Sequence, residues 1–191
     1  LMYLQQYSSQ IQLITVSGKI TEEFDVKDIT DKELERFIAD CANIYKGTPD
    51  WVVGNVKTIN FARSICQETA RLTMLATSIK AEGSARAEWL QTQIDNMYFN
   101  LRKWVEYASA YGTIVLKPNE NGVDLVLPGN YIITDQRNNE ITGIVFVEQR
   151  REKDVYYTRF EYHRFVNDVY YITNECWKGA TKNALDDIVA I

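Results

Sequence analysis

The chain has three cysteines, three prolines, nine glycines and a single histidine among 191 residues. Cys41, Cys66 and Cys176 are odd in number, far apart, and form no CxxC spacing. A disulfide framework or a structural zinc site is therefore not expected, and a reducing compartment suits the chain. So few Gly and Pro leave no room for long flexible linkers. No apolar run approaches the ~20 residues of a membrane span. Leu1-Met2-Tyr3-Leu4 is followed at once by Gln, Gln and Tyr, which is no signal peptide. Leu1 as the first residue suggests a piece of a longer chain. Dinucleotide and nucleotide phosphate loops, the nucleophile elbow, the HExxH zinc helix and the EF-hand loop are all missing. The glycines are scattered at turns, so they cannot expose clustered N–H groups to a phosphate, and no cofactor or metal is expected.

Positive charge is also scarce. Lys and Arg total 21 against 26 Asp and Glu, a formal charge of −5. A protein that grips nucleic acid does so through Lys and Arg on phosphates, and this balance argues against such a clamp. It leaves open a protein that lets nucleic acid pass by.

What is present is an ordinary globular composition, 46% hydrophobic and 25% charged. Residues 1–30 give only a weak strand pattern, with Ile11 and Leu13 alternating before Gly18. Thr30-Asp31-Lys32-Glu33 matches a capping box and opens a helix near 31–46, with Leu34, Phe37, Ile38, Cys41, Ile44 and Tyr45 at helical spacing. Lys46-Gly47 stops it. A second helix is predicted near 58–75. It carries two apolar stripes, one through Ile59, Ala62, Cys66 and Ala70, the other through Phe61, Ile65, Glu68, Leu72 and Leu75, so it is read as contacted on more than one side. The third, near 84–110, is capped by Ser84 and would be roughly 40 Å long.

From 113 the hydrophobic period changes to two. Strands are expected at 113–117, 123–127, 131–134, 141–150, 155–165 and 169–175, with turns at Pro118–Gly122, Pro128–Asn130, Arg137–Glu140 and Asn167-Asp168. The tail 177–191 has no clear pattern. Helices followed by an antiparallel meander give an α+β fold class.

Four groups of side chains are candidates for chemistry. His163 and Glu161 lie two residues apart, so on a strand they share a face, and a carboxylate-oriented imidazole is a possible base. With no third partner near in sequence, the pair reads as structural. Asp186-Asp187 could hold a divalent cation, but adjacent acids in an irregular tail read as solvated. Arg150, Arg151 and Lys153, with Arg159 and Arg164, could meet a phosphate, but read better as a charged hairpin. Cys66, on an apolar stripe without an activating neighbour, reads as core.

The stretch from Val155 to Trp177 places aromatic rings on both alternating faces of two strands. A stacking platform for single strands would want a positive groove, which this acidic chain lacks. We read the sheet as covered on both faces, the second by another subunit, because Tyr and Trp join large area to a polar tip. Trp89, Tyr98, Trp104, Tyr156, Tyr162 and Tyr170 are the candidate interface residues.

The ordered series Ile44-Tyr45-Lys46-Gly47 with Trp51, Thr58 to Ile65 running into Glu68-Thr69-Ala70, Tyr111 to Pro118, Ile141 to Phe146, Tyr157 to His163, and Tyr171 to Glu175 resembles the N-terminal half of tailed-bacteriophage portal proteins. The resemblance covers about 44 to 175. It implies a structural, non-enzymatic subunit of a ring of about twelve copies at one capsid vertex, closed by head-to-tail contacts. Its implied partners are further copies of itself, the major capsid protein, terminase, a head-tail adaptor and double-stranded DNA passing through the channel. Its implied location is the virion, after assembly in the bacterial cytoplasm, with no membrane. In that scheme 1–30 is an extension, 31–176 a wing-like domain, and 177–191 the start of a further segment. Stem, clip and crown have no counterpart here. Two alternatives compete: a monomeric adaptor that docks a partner with its aromatic strands, and a metal-dependent hydrolase using Glu161, His163 and Asp186 or Asp187.

Overall fold

The computed structural model describes residues 20–54, 59–119 and 122–190. The weak strand pattern at 11–15 lies outside them. The fold class is α+β, with helices followed by antiparallel strands. The chain divides into two units, Lys32–Pro128 and the remainder, which joins the residues up to Asp31 with those from Gly129 onward.

The Lys32–Pro128 unit holds three helices, α1 (Lys32–Lys46), α2 (Phe61–Ala76) and α3 (Ala85–Tyr111), and a two-stranded ribbon. Each helix ends where local chemistry dictates. At Gly47, φ is +79°. Its N–H bonds the Ile44 carbonyl at 3.0 Å, and the Thr48 N–H bonds that of Asn43 at 2.9 Å, which is the Schellman closure. Ser84 caps α3 by accepting from Ala87 N, and Gly112 closes it in the left-handed region. Ala42, Tyr45, Tyr107 and Tyr111 form the buried centre of this unit. The ribbon pairs β1 (Val115–Asn119) with β2 (Gly122–Val126). Pro118, expected to start a turn, sits inside β1 opposite Val123. A two-stranded ribbon tolerates this, because each strand has an edge that needs no ladder N–H.

The other unit is a five-stranded antiparallel sheet in sequence order, β3 (Tyr131–Arg137), β4 (Glu140–Glu152), β5 (Val155–Val166), β6 (Val169–Gly179) and β7 (Asp187–Val189). Asn138-Asn139 and Asn167-Asp168 take positive φ at both central positions of their turns, matching the twist of two-residue hairpins. A bulge after Ile133 lies beside Gly143, where a side chain would meet Thr134 Oγ1 at 2.5 Å.

The register places Ile132, Val145, Val147, Phe160, Tyr162 and Trp177 on one sheet face. These residues form a buried cluster with Ile20, and Phe24, Val26 and Leu185 pack against it. Phe24 meets Phe160 edge-on at 6.4 Å and Tyr162 at 5.5 Å. Burying each large side chain here contributes roughly 1.5–3 kcal/mol. Residues 20–30 thus help to cover the sheet, helical at 20–24, with the Ile29 N–H bonding the Ile133 carbonyl at 2.9 Å. The boundary expected at 176 falls inside β6, and the tail adds β7 along its edge. Gly179 makes this possible, since a Cβ there would lie 1.9 Å from the Ala184 carbonyl oxygen.

Candidate functional site

The second sheet face carries Ile144, Phe146 and Glu148 of β4, Arg159, Glu161, His163 and Phe165 of β5, and Tyr170 and Ile172 of β6. Its centre is a chain of polar contacts across three strands. Nε2 of His163 meets Glu161 Oε1 at 2.5 Å. A carboxylate only accepts, so Nε2 carries the proton and Nδ1 accepts from the Tyr170 hydroxyl, its other partner. Glu161 also pairs with Arg159 at 3.0 Å, and Arg159 reaches Glu148 across the ladder at 2.8 Å. Burial, and then the Glu161 charge, push the Tyr170 hydroxyl above its ordinary pKa, so it stays a donor. The His163 ring stands edge-on to the buried Phe146 at 5.1 Å.

This arrangement fixes strand register and roofs Phe146 with polar groups. Among the described residues no group of three or more His, Cys, Asp or Glu could hold a metal ion. Asp187 instead pairs with Lys178 at 3.2 Å, and Asp186 accepts from the Ala180 N–H at 3.3 Å. Glu161 sits opposite Asn174 while Asp187 sits opposite Lys178, a separation of roughly 13 Å along β6. The structure brings Glu161 and His163 together and leaves the two aspartates elsewhere. The basic hairpin is neutralised from within, with Arg150 on Glu152 at 2.5 Å, Arg151 on Asp154 at 3.3 Å and Arg159 on its two glutamates. A phosphate would have to displace these acids.

In the helical unit, Tyr45 donates its hydroxyl hydrogen bond to Glu106, a buried carboxylate that also meets Lys103 at 3.3 Å. Burial alone would raise Glu106, but these hydrogen bonds and the Lys103 charge hold it below the usual range. Burial and the same carboxylate push Tyr45 far up. Burial and the Glu106 charge push the Cys66 thiol up, and the partly buried side chain packs against the unit's buried centre. It lines an apolar groove of about 280 Å³ with Cys41, Ile44, Tyr45, Ala62, Ile65, Ser109 and Ala110.

The six candidate interface residues separate. Trp104 and Tyr162 are 7% and 6% exposed in the single chain, Tyr162 as a member of the sheet's buried cluster, so neither ring is open to a second subunit. Tyr156 is half-buried beneath the Arg151 guanidinium. Trp89, Tyr98 and Tyr170 remain exposed, Tyr98 donating its hydroxyl to the Thr77 carbonyl at 3.0 Å.

The larger apolar surface lies on α2. Phe61, Ile65, Leu72 and Leu75 are 52–72% exposed, while Ala70, half a helical turn away from that stripe, is buried. With Glu68 they repeat at intervals of four, three, four and three, the seam spacing of paired helices. Glu68 is held in place by a bidentate bond from Arg71, at 2.6 and 2.8 Å. This is the second stripe visible in the sequence. Phe99, 92% exposed on α3, was not singled out there, since an isolated apolar residue off the main stripe carries no periodic signal. No helix among the described residues is long and apolar enough to cross a membrane. No family model, no curated protein and no solved structure matches the chain.

Proposed function

We propose that the chain is a structural subunit of a self-assembling ring of the portal type, a conduit for DNA and a docking point for terminase and tail adaptor. The observation that carries the reading is the outward apolar seam of α2. Four large side chains at helix-pairing spacing are 52–72% exposed on a stripe that turns away from the buried Ala70. Soluble monomers rarely leave such a contiguous stripe open, and a partner helix covers it at the least cost. Copies of the same chain are the partner that the family resemblance implies. A non-catalytic role also suits the second sheet face, whose histidine is held by one bond within β5, to Glu161, and one across to Tyr170 of β6. The charge of −5, with its hairpin arginines paired, suits a channel that must not hold DNA.

Native mass spectrometry of the full chain tests this. A closed ring of about twelve copies supports it, and a species that stays monomeric at high concentration removes it. A second reading, a monomeric adaptor, rests on the β5–β6 hairpin tip, where the Phe165 ring meets that of Tyr170 at 5.0 Å, tilted by 43°, with both half-exposed. It predicts one copy bound to one partner protein.

A further inference from the structure

One edge of the five-stranded sheet is only partly closed. β7 pairs with Cys176, Trp177 and Lys178 of β6 and stops there. The β5–β6 hairpin turns through Asn167-Asp168, so Val166 and Val169 exchange both ladder bonds, and the odd-numbered residues of β6 aim their N–H and C=O groups at β5. The even-numbered ones aim away from it, and the Lys178 carbonyl accordingly accepts from the Asp186 N–H at 2.9 Å. Tyr170, Ile172 and Asn174 therefore present backbone donors and acceptors that have no partner among the described residues. Side-chain exposure follows the same division. Trp177, beside β7, is 7% exposed, whereas Val169, Tyr170, Tyr171 and Ile172 are 47–52% exposed, on both faces of the strand. Open edges are normally blunted by proline, charge or a bulge. Val169 to Asn174 has no proline and no charge, and its register against β5 is unbroken.

We propose that this edge receives the chain's own Ile11–Val16, which lies outside the described residues, as one more strand along Tyr170 to Asn174. The proposal concerns the sheet unit alone and stands apart from the ring reading. The edge decides the kind of occupant, because a row of N–H and C=O groups is satisfied by an extended backbone. Three observations select this segment. Ile11-Gln12-Leu13-Ile14-Thr15-Val16 holds four β-branched residues, no charge and no proline. It is apolar at both parities, Ile11 and Leu13 on one and Ile14 and Val16 on the other, which suits a neighbour with exposed rings on both faces. Position agrees as well. Ile20 is buried in one cluster with Trp177, Phe24 lies against Tyr162 at 5.5 Å, and the Glu23 charge reaches Glu175 of β6. The helix at 20–24 thus sits over β5 and β6, beside the open edge. From Ile20 back to Val16 is up to roughly 14 Å of extended chain, about three strand spacings, with Gly18 between them to turn.

Residue-resolved hydrogen exchange of the full chain tests this. The amides of Tyr170, Ile172 and Asn174 should exchange at least about tenfold more slowly than those of a free chain. Ile14→Pro should return them to the free rate while Tyr171 and Thr173, which bond β5, stay slow and show that the sheet is intact. Ile172→Pro removes an N–H that β5 does not use, so β6 tolerates it, and it should free the amides of 11–16. Leu13→Cys combined with Ile172→Cys, oxidised with diamide and located by peptide mapping, identifies the source of the strand. A bond within one chain supports the proposal, and a bond between chains assigns the edge to a second copy and overturns it. Free-rate exchange at Tyr170, Ile172 and Asn174 in the parent overturns it too, as does slow exchange there that Ile14→Pro leaves unchanged.

Discussion

Tyr45 and Glu106 are joined by a hydrogen bond that spans 61 residues of sequence and ties the end of α1 to the last turns of α3. The carboxylate is buried, so its charge depends on the donors around it. Tyr45→Phe removes one donor and leaves a desolvated acid, at a cost of roughly 1–3 kcal/mol in urea unfolding at neutral pH. The pH dependence follows from the direction of the shift. Glu106 is depressed in the folded state, so its contribution is present above its unfolded pKa and is lost as pH falls through the folded one. The stability gap between Tyr45→Phe and the parent should therefore shrink in acid. A gap that is unchanged below pH ~3, where free glutamate is protonated, would contradict the assignment.

Asn60 binds the two helix ends together. Its Nδ2 donates to the Tyr45 carbonyl at 2.6 Å, and its Oδ1 accepts from the Arg63 N–H at 3.0 Å. Asn60→Asp keeps the cap on α2 and loses the donor, whereas Asn60→Ala loses both. The alanine variant should cost about 1 kcal/mol more than the aspartate variant, the usual worth of an N-cap. Thermal unfolding of the two variants measures the difference, and equal midpoints would show that the cap contributes nothing.

Glu175 lies on the covered face of the sheet, opposite Phe160. Burial, and then the charge of Glu23, push its carboxyl above the ordinary range. A raised acid binds its proton more tightly when folded, so its unfavourable effect grows as pH rises past the unfolded value. Glu175→Gln should stabilise the chain at neutral pH by roughly a few tenths of a kcal/mol and change nothing in acid, where both forms are neutral. Chemical denaturation at the two pH values decides it, and a destabilised glutamine variant at neutral pH would count against the burial argument.

Gly179 is held against Ala184, and a methyl group cannot enter. Gly179→Ala should cost about 1–3 kcal/mol of local strain. The loss should appear first as faster amide exchange at Asp187 to Val189, whose strand depends on that approach. Parent-like protection of β7 would show that the loop yields freely.

The sequence was most legible where structure is fixed by neighbours in the chain. Ser84 and Gly112 bracket α3 to within a residue, because capping is a local bond. The hairpin turns at 138–139 and 167–168 were equally plain, because few residues other than Asn, Asp and Gly accept their backbone angles. What was hidden depends on distant partners. Ile20, Phe24 and Val26 look like an extension until the sheet they cover is known. Strand alternation separates Tyr162 from Tyr170 by face, yet it does not say which face is covered, so a buried ring and an exposed one were both read as interface. Asp186-Asp187 resembles a solvated tail because β7 has only three residues and takes its order from Lys178. Glu161 and His163 were placed on a common face by parity alone, and their contact at 2.5 Å bears this out.

The central claim is that the open seam of α2 is covered by other copies of the chain. Sedimentation velocity of the full chain across a wide concentration range tests it most directly. The account predicts a discrete large species at the expense of the 22.1 kDa monomer, and its breakdown when Leu72 is replaced by Lys. A single monomeric boundary at every concentration, with Leu72→Lys indistinguishable from the parent, would contradict it.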